Sequence, residues 1–204
     1  SRLLAKAQEA EKRCFESFSR IDRTCAHNEA KVLRAFADCR VSESQFAGST
    51  GYGYGDIGRE ALDAVLADIF GCEDALIRHN FVSGTHALTT ALFGVLRPGD
   101  TIVSLTGRPY DTLEEVVGLR GEGHGSLKEW GVTFKMQELA PDGHIDFDAI
   151  PAAVQGARVA YIQRSRGYTL RPSVTVAEIA RVVELVTLAP AKSPSLSREI
   201  KGVS

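Results

Sequence analysis

The sequence contains no apolar run approaching the roughly 18 residues that a bilayer-spanning helix requires. It has no C-x-x-C pair either: Cys14, Cys25, Cys39 and Cys72 stand far apart. That spacing fits neither a zinc site nor a secreted disulfide framework. The expectation is small buried or half-buried thiols kept reduced, with the cytosol as the compartment. No sign of charge dominates, since 24 Lys and Arg face 26 Asp and Glu for a net charge of -2. Phosphate backbones are bound by basic surfaces, so nucleic acid is excluded as the main partner. The five histidines show no ligand spacing, and no metal site is expected. The opening Ser-Arg-Leu-Leu-Ala-Lys lacks the apolar stretch of a secretory signal. A first residue that is Ser rather than Met suggests that the chain does not begin at a natural start. No internal repeat is visible.

What remains is globular. Hydrophobic residues make up 44% and charged residues 25% of 204, enough for one large domain or two small ones with a real core. Helical spacing of apolar residues predicts helices over residues 1–19 and 28–39. Ala47 to Gly58 is too rich in Gly, Ser and Tyr to be a regular element. From Ile57 the apolar positions Ala61, Leu62, Val65, Leu66, Ile69 and Phe70 describe an amphipathic helix that Gly71 stops. Ala75–Val82 reads as a strand, Thr85–Leu96 as a helix and Thr101–Leu105 as a strand. Asp111-x-x-Glu114 and Ser126-x-x-Glu129 are candidate capping boxes. Strands over Val132–Met136 and Arg158–Gln163 alternate with helices over Phe147–Val154 and from Thr175-x-x-Glu178 to about Val186. Such alternation with apolar strands predicts a three-layer α/β/α fold with a mostly parallel sheet, preceded by N-terminal helices. After Val186 the composition turns to Pro and Ser, where an α/β chain should offer its next strand.

Four stretches carry chemistry. Gly53-Tyr-Gly-Asp-Ile-Gly58 matches G-x-G-x-x-G but follows polar sequence instead of the strand a dinucleotide fingerprint needs. Tyr52 and Tyr54 in that loop are suited to reaching an anion or a ring, unless the loop is simply surface. Phe81-Val82-Ser83-Gly84-Thr85-His86 reads as a strand, a small polar turn and a helix start. Free amides there make an anion cup, with Gly84 allowing close approach; alternatively Ser83 and Thr85 merely cap the helix. Tyr110 lies beyond the next strand, where parallel sheets place their ligands, and offers a stacking face. Gln163-Arg-Ser-Arg-Gly-Tyr168 follows a third strand. Arg164 and Arg166 there are candidates for holding a carboxylate or phosphate, or are surface arginines beside a turn.

As a set these stretches resemble one family. Gly-Tyr-Gly-Tyr-Gly-Asp-x-Gly-Arg-Glu, Phe-Val-Ser-Gly-Thr-His-Ala, Arg-Pro-Tyr-Asp-Thr-Leu-Glu-Glu and Ile-Gln-Arg-Ser-Arg-Gly-Tyr look like the methionine gamma-lyase-related family. Its members are often labelled aluminium resistance proteins, and they belong to the fold type I pyridoxal-phosphate (PLP) enzymes. The resemblance spans about residues 1–186. It implies a carbon–sulfur lyase acting on sulfur-containing amino acids. Ser83, Gly84 and Thr85 would hold the cofactor phosphate, and Tyr110 would stack on the pyridine ring. The loop of Tyr52 and Tyr54 would reach the neighbouring subunit's phosphate, which implies a homodimer or homotetramer.

The same resemblance implies that the Schiff-base lysine and the Asp facing the pyridine nitrogen lie beyond the matched stretch. Lys192 and Lys201 sit in unmatched sequence and are not assigned. The expected organisation is an N-terminal helical segment (1–45), a partial PLP-binding large domain (46–186) and an unmatched tail (187–204), inactive alone. The alternative reading is a non-catalytic phosphate- or nucleotide-binding α/β module. A further alternative is a structural, oligomer-forming fragment whose loops bind nothing.

Overall fold

The computed structural model describes residues 1–50, 52, 54–122 and 124–189. Of the tail expected over 187–204, residues 190–204, Lys192 and Lys201 included, lie outside the described residues. These divide into two compact units, Ser1–Asn80 and Phe81 onward, so residue 45 falls inside the first.

The first unit begins with one helix, α1 (Arg2–Asp38), where the sequence suggested two. No Gly or Pro interrupts the first 47 residues, and Phe15, Phe18 and Ile21 carry the helical spacing through the middle, so nothing breaks the backbone ladder. Ser1 Oγ caps the start by accepting the Leu4 N–H at 3.3 Å. The end closes through Val41 N–H to Phe36 O and Arg40 N–H to Ala37 O, with Arg40 at φ 53°, the bonding of a Schellman motif. A 3-10 turn, Glu43–Phe46, precedes α2 (Ile57–Phe70). Asp56 caps α2 through the Arg59 N–H and also accepts the Ser49 hydroxyl, while Gly71 ends it at φ 63°. Gly58 is glycine for a packing reason: a Cβ there would lie 2.6 Å from the Gln45 carbonyl oxygen. The G-x-G-x-x-G match thus follows a 3-10 turn and packs a helix start, outside any βαβ unit.

The expected strand Ala75–Val82 is not one. Its backbone is irregular, and Leu76, Ile77 and Val82 are exposed. Asp63 holds it, accepting the Ile77 N–H at 2.9 Å and pairing with Arg78 at 2.8 Å. Strand-like composition without a neighbouring ladder leaves the segment to a side-chain anchor.

The second unit is the α/β body. Its strands β1 (Thr101–Ser104), β2 (Thr133–Met136) and β3 (Val159–Tyr161) form a parallel sheet in the order β2-β1-β3. The helices are α3 (Gly84–Val95), α4 (Asp111–Val117), α5 (Ile150–Ala153) and α6 (Val176–Leu188). Alternation along β1 separates two cores. Ile102 joins Leu92, Leu96, Leu113, Val117, Leu127 and Val132 on the α3–α4 side. Val103 joins Ile145, Ile150, Val174 and Val182 on the α5–α6 side. Three layers result, as the sequence pattern implied. Among the described residues no helix is long and apolar enough to cross a membrane.

Two of the three candidate capping boxes work differently. Ser126 Oγ accepts the Glu129 N–H at 3.2 Å, yet the segment forms turns and no helix. Helix α4 has Tyr110 at its N-cap with no side-chain cap, which places Asp111 inside the helix, and Glu114 is engaged by Arg108. The helix expected over Phe147–Val154 shrinks to the four residues of α5. Only Thr175-x-x-Glu178 closes as a full box at the start of α6.

Two consequences are measurable. Gly58→Ala should destabilise the first unit by about 1–3 kcal/mol, since the added methyl must displace backbone; faster amide exchange within α2 is the readout. Glu178 is held at about 2, below its ordinary 4.5, by the Thr175 N–H first, then by His144 and the Thr175 hydroxyl. A depressed carboxylate stabilises the fold above its unfolded value and loses that contribution as pH falls from 4.5 to about 2. Partial exposure limits the effect to roughly 1–2 kcal/mol. Urea midpoints measured across this window should fall more steeply for the native chain than for Glu178→Gln.

Candidate functional site

All three strands of a parallel sheet end at one edge, and here that edge gathers the residues of interest. Beyond β1, the buried Ser104 hydroxyl donates to Gly107 O at 2.6 Å, and Gly107 turns the chain at φ 74°. Arg108 then grips the buried Glu114 carboxylate with Nε and a second guanidinium nitrogen. Each holds the other charged: hydrogen bonding to Arg108 lowers the Glu114 pKa, and Glu114 raises that of Arg108. This fork fixes the loop that delivers Tyr110 to the start of α4.

At the start of α3, Ser83 is extended and its Oγ accepts the His86 N–H at 3.1 Å. Capping by Ser83 therefore occurs, and it leaves something over. The Gly84 and Thr85 amides meet no acceptor among the described residues, and a Cβ built on Gly84 meets nothing within 4 Å. The helix start is an open, donor-lined surface, suited to an anion. His86 is turned back on its own segment, its Nδ1 accepting the Val82 N–H and its ring meeting Phe81 edge-on.

Thr85 links this helix start to Tyr110. Its hydroxyl lies 2.7 Å from that of Thr112, two residues beyond Tyr110. The chain between Gly84 and Tyr110 leaves along α3, returns along β1 and arrives at the same edge. Tyr110 is 37% exposed. Its ring stacks on Tyr168 with centroids 6.2 Å apart and planes at 29°. The Tyr110 phenol is pushed above its ordinary value by hydrogen bonding to Tyr168, then by the charges of Tyr168 and Asp111.

The two arginines separate. Arg164 donates from Nε to Val174 O at 3.2 Å, which binds it to the approach of α6. Arg166 is exposed, and its guanidinium has no partner among the described residues. A third arginine escaped the sequence reading. Arg171 donates to Gln163 O, Ser165 O and Pro172 O and closes the loop on itself, with burial pushing its pKa down. Gln163 also escaped it, although it stands where β3 runs out. Tyr52 and Tyr54 belong to the first unit; both are strongly exposed, with ring centroids 5.9 Å apart.

The family profile of methionine gamma-lyase matches residues 3–192. The chain belongs to the methionine gamma-lyase family. A candidate cystathionine beta-lyase involved in aluminum resistance from Clostridium acetobutylicum superposes with a TM-score of 0.87 at 41% identity. It covers 93% of this chain and 46% of its own. A carbon–sulfur lyase involved in aluminum resistance from Clostridium novyi NT gives 0.85 at 42% identity over 91% of this chain and 45% of its own. The uncharacterized protein YnbB of Bacillus subtilis is 48% identical over 168 residues, 81% of this chain and 40% of that protein. The chain therefore spans a little under half the length of these family members.

Because Gly84 borders open space, Gly84→Val should leave folding nearly intact while obstructing an anion. The expected result is a thermal midpoint within about 2 °C of the native chain and at least a roughly tenfold loss of affinity for inorganic phosphate by titration.

Proposed function

We propose that this chain provides the cofactor-anchoring part of a PLP-dependent carbon–sulfur lyase acting on sulfur-containing amino acids. The observation that carries the reading is the Thr85–Thr112 hydroxyl pair, which joins a helix start with open Gly84 and Thr85 amides to the segment that carries an aromatic stacking residue at one sheet edge. Ser83, Gly84 and Thr85 suit a phosphate, and Tyr110 suits a planar heteroaromatic ring. Bound PLP would supply an electron sink for charge developing at the amino-acid Cα. Arg166, with its free guanidinium, suits the carboxylate of the substrate, while Arg164 is committed to the framework. The names of the Clostridium relatives support the lyase class.

The chain by itself should bind the cofactor weakly and not turn over substrate. Lys6, Lys12 and Lys31 lie on α1 of the first unit; Lys128 lies in a turn on the side of the β1 core away from the strand ends. Lys135 lies within β2, in register with Val103. None of these stands at a strand end beside the anion cup. In the intact assembly Tyr52 and Tyr54 would extend from one copy toward another's phosphate, a role their exposure supports.

A second reading uses the same cup without chemistry, as a phosphate-binding module, because amides and hydroxyls hold a phosphate with no lysine present. Borohydride reduction with PLP, peptide mass mapping and an assay for keto-acid release separate the two from a self-sufficient enzyme. We expect saturable PLP binding, displaced by inorganic phosphate only at far higher concentration, with no dominant modified lysine and no keto acid. Equal affinity for phosphate and PLP would favour the binding module. One dominant modified lysine together with turnover would overturn the proposal that the chain alone is inactive.

A further inference from the structure

Tyr110 sits at the entry to α4, where its carbonyl takes the Leu113 and Glu114 N–H groups while its own N–H meets no backbone acceptor among the described residues. Yet a stacking residue is useful only if its plane is fixed. The interaction that fixes it comes from 53 residues away. Gln163 Oε1 accepts the Tyr110 N–H at 2.8 Å and lies 3.3 Å from the Tyr161 hydroxyl. Its Nε2 donates to Ser165 O at 2.9 Å. Its main chain is held as well, the N–H by Thr106 Oγ1 at 2.9 Å and the carbonyl by Arg171 at 3.1 Å. Both ends of one amide side chain are thus committed, on a residue whose backbone is itself clamped.

The loop that Gln163 opens then closes over Tyr110. Gly167, at φ 56°, brings its backbone so near that a Cβ would lie 3.1 Å from Tyr110 Cδ2. Tyr168 follows and stacks on the same ring. Backbone amide, ring edge and ring face of Tyr110 are all held from the segment Gln163–Tyr168.

We propose that Gln163 is the positioning residue of the site: by accepting the Tyr110 N–H while anchoring Ser165, it sets the plane on which a cofactor ring stacks. The proposal rests on the cofactor reading given above. Gln163 touches no ligand in this role. It acts through Tyr110, and its effect should disappear when the Tyr110 ring is gone.

Two measurements on the full chain test it, one of which needs no ligand. Amide hydrogen exchange reports the Gln163–Tyr110 bond directly. Gln163→Leu, which removes the acceptor, should speed exchange at Tyr110 by at least about tenfold, with amides of β1 unchanged. Gln163→Glu retains the acceptor for Tyr110 but loses the Nε2 donor to Ser165 O, so its rate should fall between those of the native chain and Gln163→Leu. PLP titration is the second measurement. Gln163→Leu should weaken binding by about tenfold, and Gln163→Glu should recover part of the loss. In a Tyr110→Ala background Gln163→Leu should cost nothing more, the coupling expected of residues acting as one unit. Unchanged Tyr110 exchange in Gln163→Leu, additive losses in the double variant, or a Glu variant as impaired as Leu would each overturn the proposal. If the native chain binds no PLP, the cofactor reading fails, and with it the claim about ring placement. The exchange experiment still decides whether Gln163 holds Tyr110.

Discussion

The pairing of β1 between β2 and β3 is the constraint from which the site follows. Parallel strands need crossover connections, and each crossover returns the chain to the same end of the sheet. Three strand ends, after Ser104, Met136 and Tyr161, therefore open on one edge. The backbone continues the pairing just past them, through Leu105 N–H to Tyr161 O and Gln137 N–H to Ser104 O. Beyond that point side chains take over from the ladder. Thr106 bonds the Gln163 amide, and Gln163 bonds that of Tyr110. The edge is thus a graded transition from backbone pairing to side-chain pairing. A loop that would otherwise be free becomes an extension of the sheet.

How much of this is legible in the sequence depends on the range of the interaction involved. Helix α2, its stop at Gly71 and the capping box at Thr175 are local, and residues within four positions decide them. Alternation along β1 is local too, and it carries the three-layer architecture. The single helix α1 is a negative inference: residues 1–47 lack any breaker, so the run continues between the two stretches where the apolar spacing was read. Ala75–Val82 shows the limit in the other direction. Its residues favour a strand, but a strand exists only when another lies beside it.

The residues that organise the site were the least legible for the same reason. Asp111 and Glu114 have capping-box spacing, but Arg108 takes the Glu114 carboxylate, a competition invisible until the turn at Gly107 brings the two together. Gln163 carries no charge and sits in a motif dominated by two arginines, so attention falls on its neighbours. Its partners, Thr106 and Tyr110, lie more than 50 residues away. The one available signal was position, the residue at which a strand runs out.

A division of labour emerges between polar groups that are satisfied and those that are not. Arg108 with Glu114, Ser104 with Gly107 O, Arg164 with Val174 O and Arg171 with its three carbonyls all spend their hydrogen bonds on the protein. These bonds tie the loops down, and burial makes the Ser104 bond costly to break. Among the described residues, the Gly84 and Thr85 amides and the Arg166 guanidinium are left without a protein partner on the same unit. A surface meant only for solvent has no need of such anchoring behind it, since exposed loops tolerate motion. Rigid support behind unsatisfied donors is what a ligand site requires, because donors already in place lose little freedom when the ligand arrives. In this chain the anchoring converges on Tyr110 and the start of α3, and the ligand chemistry is inferred from there.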